Sequence, residues 1–328
     1  MNNRRKLVIT LCASALAAPL GSFAQQSTRV YRIGILNVGD AASSNSRDEV
    51  FARALRELGY TEGKSIFLER RYANGDRGRL KKFALEFVEL KVDAILANSS
   101  FATQAARDAT STIPIVMTGV GNPIQSGFVS SFVRPGGNIT GLTNISIDIS
   151  SKYFELLHEV VPSISRVAVL VNPAHPNHPT VLKQIQAGAK AFGVDVSRIE
   201  VPTIDEMGAA LNAAVKTRAT ALIIPADPAF PIKTREIVEF TVTHRLPALF
   251  GWSAAVEEGG LIGYQPSVTE TYRRAAALVV KILKGAKPAE IPVEQPTKFE
   301  LLVNTKTATR LGIKIPNSIL IRADKVIE

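Results

Sequence analysis

The chain has 328 residues, 46% of them hydrophobic, and 39 lysines and arginines against 29 acidic residues give a formal net charge of +10. That length supplies two domains of ordinary size whose apolar cores need no disulfide support. The charge is scattered: its densest group, Arg70, Arg71, Arg77, Arg79, Lys81 and Lys82, is broken by Tyr72, Gly75, Asp76 and Gly78, and no nucleic-acid reading element accompanies it, so no nucleic acid partner is expected.

Residues 1–24 read as a secretory signal peptide. Arg4, Arg5 and Lys6 form the positive start, Leu7 to Leu20 the apolar stretch, and Ser22-Phe23-Ala24 the small-residue site before Gln25. The apolar stretch falls short of the roughly 20 residues that a spanning helix needs. Cys12, the single cysteine, lies inside it, so the mature chain carries no disulfide and the expected compartment is the periplasm.

Strand and helix signals then alternate in the βαβ manner. Tyr31 to Leu36 reads as a strand and Asp48 to Leu58 as a helix with Val50, Phe51, Ala54, Leu55 and Leu58 on one stripe, closed by Gly59. Ile66 to Arg71 is a strand, Arg79 to Leu90 a helix, Asp93 to Ala97 a strand, Thr103 to Ala109 a helix, Pro114 to Met117 a strand, and Ile139 to Leu142 leads outward. The second half opens with a helix at Ser151 to Val160 and a strand at Arg166 to Val171, and continues with a helix at Thr180 to Phe192 and a strand at Arg198 to Val201. A helix at Asp205 to Lys216 and a strand at Ala221 to Ile224 follow, then a helix at Ile232 to His244 and a strand at Pro247 to Phe250. A turn at Gly259-Gly260 leads into a further strand, and Glu270 to Leu283 is a helix.

Three landmarks recur in order at nearly one separation. Arg32-Ile33-Gly34-Ile35-Leu36 answers Arg166-Val167-Ala168-Val169-Leu170, Gly59 answers Gly193, and Ile113-Pro114-Ile115-Val116 answers Leu246-Pro247-Ala248-Leu249. The sequence therefore predicts an α/β protein of two similar doubly wound parallel-sheet lobes with a cleft between them. The first lobe is expected over 29–145 and the second over 146–265, followed by a C-terminal segment, 266–328.

The chain resembles the substrate-binding proteins of ABC importers, in the family of the tryptophan- and tyrosine-type periplasmic binding proteins, which has the type I periplasmic-binding fold. The resemblance rests on Ala97-Asn98-Ser99 with Ala105-Ala106, on Arg134-Pro135-Gly136-Gly137-Asn138-Ile139-Thr140-Gly141, on Arg166 to Leu170 with Asn172-Pro173, on Lys281 to Pro288 and on Glu294 to Leu301. It covers almost the whole mature chain and implies that the C-terminal segment 266–328 crosses between the lobes. It implies a periplasmic receptor that closes its lobes on a small organic solute, an amino acid, aromatic or not, or a small carboxylate, and hands it to ABC permease subunits. ATP would be bound by a separate ATPase, the receptor would be a monomer, and no cofactor and no catalytic residue are implied. A sensory protein that presents its closed form to a receptor is the alternative, and an exported hydrolase a more distant one.

Because the family's ligand lies between the lobes, the loops after the strands supply the candidate contacts: Gly39, Asn98, Ser99, Ser100, Thr118 and Asn122 in the first lobe, and Asn172, Asp227, Trp252 and Ser253 in the second. Ser99 and Ser100 open a helix whose free N–H groups suit a carboxylate, with a plain N-cap as the other reading. Asn122 stands where the family commonly has Asp. Asp227 could hold an ammonium group or merely make an Asx-turn before Pro228. Trp252, the single tryptophan, could give an aromatic wall or simple packing, with Phe101 and Tyr264 as further candidates. His175 and His178 are spaced to share a metal, but no acidic or cysteine ligand sits beside them in sequence and no metal is expected. His158 and His244 read as structural. No Gly-x-Ser-x-Gly, Walker or His-Glu-x-x-His motif is present.

Overall fold

The computed structural model describes residues 29–144 and 149–328. The expected signal segment 1–24, Cys12 and the junction drawn at 145–146 lie outside the described residues. In chain order the first half supplies β1 (Tyr31–Asn37), α1 (Ala41–Glu57), β2 (Ile66–Tyr72), α2 (Arg77–Glu89), β3 (Ala94–Asn98), α3 (Ser100–Ala109), β4 (Ile115–Val120) and β5 (Ile139–Thr143). There follow α4 (Ser150–Val160), β6 (Arg166–Val171), α5 (His178–Lys190), β7 (Asp195–Glu200), α6 (Met207–Lys216), β8 (Ala221–Ile224), α7 (Thr234–Thr243), β9 (Ala248–Phe250), α8 (Ala254–Glu257) and β10 (Ile262–Pro266). The chain ends with α9 (Val268–Leu283), β11 (Phe299–Asn304), α10 (Thr305–Leu311), α11 (Asn317–Arg322) and β12 (Lys325–Ile327).

Two sheets result. A five-stranded sheet runs β2-β1-β3-β4-β5, all parallel, and a seven-stranded sheet runs β12-β11-β10-β9-β8-β6-β7. The near-continuous apolar runs read as strands are the inner ones, because helices cover both faces of each sheet. On β1, Ile33 and Ile35 face a core with Phe51 of α1, while Leu36 faces the opposite core with Phe87 of α2. Both phenylalanines are fully buried, each worth roughly 1.5–3 kcal/mol of transfer free energy. The second sheet is covered by α4 and α5 on one face and by α6 and α7 on the other. It departs from the purely parallel expectation at its edge, where β11 runs antiparallel to β10.

The C-terminal segment from Ile262 onward serves both sheets. Ser267 caps α9 by accepting from the Glu270 N–H at 3.3 Å. The helix then lays Tyr272, Ala275, Ala276 and Val279 against Ile33, Ile35 and Phe51 of the first sheet. Its flanking strands, β10 and β11, are hydrogen-bonded in the second sheet. The passages lie side by side: the Ser267 N–H donates to Lys298 O at 3.0 Å, and Leu142 bridges Glu294.

Candidate functional site

A cleft of about 700 Å³ lies where the C-terminal ends of the two sheets face each other. Six of the expected contacts line it: Asn98, Ser99, Thr118, Asp227, Trp252 and Ser253. The strand ends that carry them are the usual position for ligands in open α/β sheets.

The first-lobe wall begins at the β3–α3 turn. Ser99 is held at φ 129°, ψ 167°, a conformation natural to glycine and costing a serine about 1–3 kcal/mol. Its neighbours fix it there: the Ser99 N–H donates to Thr118 O at 2.9 Å, and Ser99 O accepts from the Thr103 N–H at 2.9 Å. Ser99 Oγ accepts from the Ala102 N–H at 3.1 Å, so the N-cap reading holds, and the N–H groups of Ser100 and Phe101 are the first-turn donors that no side chain caps. Below, Asn98 donates from Nδ2 to Asn37 Oδ1 and accepts at Oδ1 from the Thr118 hydroxyl at 2.7 Å. Thr118 in turn lies 3.5 Å from the Tyr272 hydroxyl on α9. Burial raises the Tyr272 phenol, with the charge of Arg47 opposing.

A bulge between β4 and β5 shapes the adjoining stretch. Met117 pairs with Gly141 and Val120 with Thr143, so Thr118 and Gly119 together oppose Leu142 alone. Gly141 is required there: at φ 140° a Cβ would lie 2.1 Å from Met117 O. The bulge turns Thr118, Gly119 and Thr143 to the cleft.

The second-lobe wall is more apolar, with Pro228, Pro231, Ile232 and Trp252. The Trp252 indole N–H donates to Thr234 Oγ1 at 3.1 Å and its ring stands edge-on to Phe250, so the side chain both packs and lines the cleft. Asp227 is buried. One of its oxygens accepts from the Ala229 N–H at 2.8 Å, the Asx-turn, and the other from Asn172 Nδ2 at 2.9 Å. Ser253 accepts at Oγ from Gln265 Nε2 at 2.8 Å.

The structure brings Asp227 beside both histidines, a grouping invisible in sequence: His175, His178 and Asp227 place ligand-type atoms within 4.8 Å of one another. The donor set does not fit a metal. His178 Nδ1 accepts from the Asn172 N–H at 2.9 Å, which leaves the proton on Nε2, 3.3 Å from Ala226 O, so the ring has no lone pair to give. Burial lowers the pKa of His178 while Asp227 opposes the shift. Burial also lowers His175 well below its ordinary value, helped by the charges of His178 and Arg77.

The other four expected contacts stand outside the lining. Gly39 is at the mouth, where a Cβ would lie 3.7 Å from Pro228 O of the facing lobe. Ser100 is buried in the first turn of α3 and its hydroxyl has no partner. Asn172 supports Asp227 from behind. Asn122 accepts from the Gln125 N–H at 3.0 Å in its own loop. Of the further aromatic candidates, Tyr264 stacks on Phe299. Phe101 meets His175 of the opposite lobe edge-on at 5.6 Å between centroids, with the Arg77 guanidinium 4.1 Å above its ring. A Cβ on Gly75 would lie 3.4 Å from Ile204 and 3.7 Å from Ile232, so the lobes touch here too.

Sequence reasoning missed several lining residues: Ser43 and Arg47 on α1, Thr143 at the end of β5 and Asn144 after it, His175, and Gln265 and Tyr272. The one available signal was Asp40. As N-cap it accepts from the Ser43 N–H at 2.8 Å and starts α1 a full seven residues before the apolar stripe that marked Asp48 as the start.

Residues 33–327 match the family described as ABC transporter substrate binding protein. The chain belongs to this family. The substrate-binding protein is 27% identical over 289 residues to a tyrosine-binding protein of Clostridioides difficile, covering 88% of this chain and 83% of that one. An ABC domain from Streptococcus pneumonia in complex with L-Trp superposes with a TM-score of 0.83 at 25% identity, over 91% of this chain and 100% of that one. A conserved domain protein from Vibrio cholerae reaches a TM-score of 0.85 at 22% identity, over 91% of this chain and 100% of that one, which shows the fold. The family, and the two relatives named with tyrosine and L-Trp, are solute-binding proteins and not enzymes. Among the described residues of the substrate-binding protein no helix is long and apolar enough to cross a membrane.

Proposed function

We propose that the cleft captures an α-amino acid, aromatic in preference, and that the closed protein delivers it from the periplasm to ABC permease subunits served by a separate ATPase. The observation that carries this reading is the division of the cleft. Its first-lobe wall offers the uncapped N–H groups of α3 and the hydroxyl of Ser99, which suit a carboxylate. Its second-lobe wall offers an apolar surface around Trp252 and the carboxylate of Asp227, which suit an aromatic body and an ammonium group. The relatives that bind tyrosine and L-Trp support the same class.

A solute that touches both walls is held only when the lobes are together, so its binding energy shifts the population toward the closed form that a permease recognises. The protein works as a monomer, since one chain supplies both walls. The test is a melt of the purified protein against the common amino acids and small carboxylates. A single-site ligand at a hundred times its Kd adds about 2.7 kcal/mol to the folded state, a rise of several degrees in Tm. The rise is expected for aromatic amino acids; an unmoved melt across the whole panel contradicts the reading.

A further inference from the structure

Buried polar side chains in folded proteins nearly always have hydrogen-bond partners, so each orphan calls for an explanation. Seven such atoms are found among the described residues: Asn37 Nδ2, Ser44 Oγ, Asp48 Oδ1, Ser100 Oγ, Thr143 Oγ1, His158 Nδ1 and Asn177 Nδ2. Asn37 and Thr143 end β1 and β5, and Ser100 opens the helix that follows β3, so three of these atoms lie along the edge of the first sheet that faces the cleft. Thr143 is the one of these three that itself lines the cleft, and it is 2% exposed.

Its position relative to the α3 N-terminus is set by the sheet. Ser99 follows β3 and is hydrogen-bonded to β4, and Thr143 ends β5 on the other side of β4. Two strand spacings separate them, about 10 Å. A carboxylate held at α3 does not reach Thr143, but the far end of an aromatic side chain attached to that carboxylate does. The Thr143 hydroxyl oxygen is shielded from water and has no partner in the protein, so turning it toward the cleft by rotation about χ1 breaks no hydrogen bond, and it can then accept from a phenol O–H or an indole N–H.

We propose that Thr143 is a specificity-determining residue: its hydroxyl receives a hydrogen bond from a donor at the distal end of the ligand's aromatic ring, so the cleft selects tyrosine or tryptophan over phenylalanine. The inference rests on the amino-acid reading of the cleft. A site with a polar group waiting for a ligand donor rejects the analogue that lacks it, because the group then stays unpaired.

Calorimetric titrations of the wild type, Thr143→Val and Thr143→Ser with L-tyrosine, L-tryptophan and L-phenylalanine test it. The wild type should bind tyrosine or tryptophan at least about tenfold more tightly than phenylalanine. Thr143→Val should lose that factor and bind phenylalanine as before, while Thr143→Ser retains most of the preference. Without ligand, Thr143→Val should melt no lower than the wild type, since the hydroxyl it loses has no partner in the protein. Equal weakening toward all three ligands, an unchanged preference in Thr143→Val, a lowered melt in that variant, or a wild type without preference overturns the proposal alone. Failure of the wild type to bind any of the three overturns the amino-acid reading together with it.

Discussion

Ser99 joins strain to placement. It occupies glycine-like backbone space, yet a serine stands there and its hydroxyl caps the helix that presents donors to the cleft. Ser99→Gly removes strain of about 1–3 kcal/mol, while replacing an N-cap serine by glycine costs only a few tenths. The variant is expected to unfold at higher denaturant, by about 1 kcal/mol or more, and to bind its solute less tightly through the lost hydroxyl. A variant less stable than the wild type would show that the capping bond outweighs the backbone strain. The same residue shows what sequence could reveal. Asn98, Ser99 and Thr118 were legible because they follow apolar strands directly, and strand ends face the cleft whatever the details of packing.

At the scale of elements, the helices and strands whose apolar residues repeat with a clear period were legible, and errors fell where polar or non-local features decide. The start of α1 is small and polar from Ala41 to Ser46, so a period of apolar residues cannot mark it; only the cap does. Thr143 and Gly119 reach the cleft through a register shift between β4 and β5, and Tyr272 reaches it because α9 packs on a sheet other than that of its flanking strands. These placements depend on pairings between distant segments, and no local pattern records them. Phe101 was read as a cleft aromatic and instead meets His175 across the lobes.

That meeting of elements carries a pH dependence. His175 is 6% exposed, packed by Phe101, His178 and Arg77, and kept neutral when folded, since burial pushes its pKa well below the usual value of about 6.5. The unfolded chain takes up a proton below that value and the folded chain does not, so stability is complete above about pH 7 and falls as the pH drops through 6.5. His178, also lowered by burial, adds to the fall. Each histidine contributes up to about 1.4 kcal/mol per pH unit. The Tm should be level from about pH 7.5 to 7 and drop by a few degrees on acidification to about pH 5.5, and His175→Gln should remove part of that drop. A drop of the same size in His175→Gln would assign it to other groups.

For the whole molecule, two lobes built on one plan face each other across a cleft whose walls differ in chemistry, and the proposed function has them close on a solute there. The duplicated landmarks fall on matching elements: β1 and β6 open the two halves, and β4 and β9 occupy corresponding places in them. The ligand class was not legible in this plan, because side chains at the rims decide it and the plan itself is scaffold. Trp252 is the single tryptophan of the chain and lines the cleft, so its emission reports on this site and no other. Titration of the purified protein with L-tyrosine, exciting the indole selectively, is the most direct test. A saturable change in Trp252 emission that fits one site per chain is expected; emission that stays constant up to millimolar L-tyrosine would overturn the proposal that this cleft binds an aromatic amino acid.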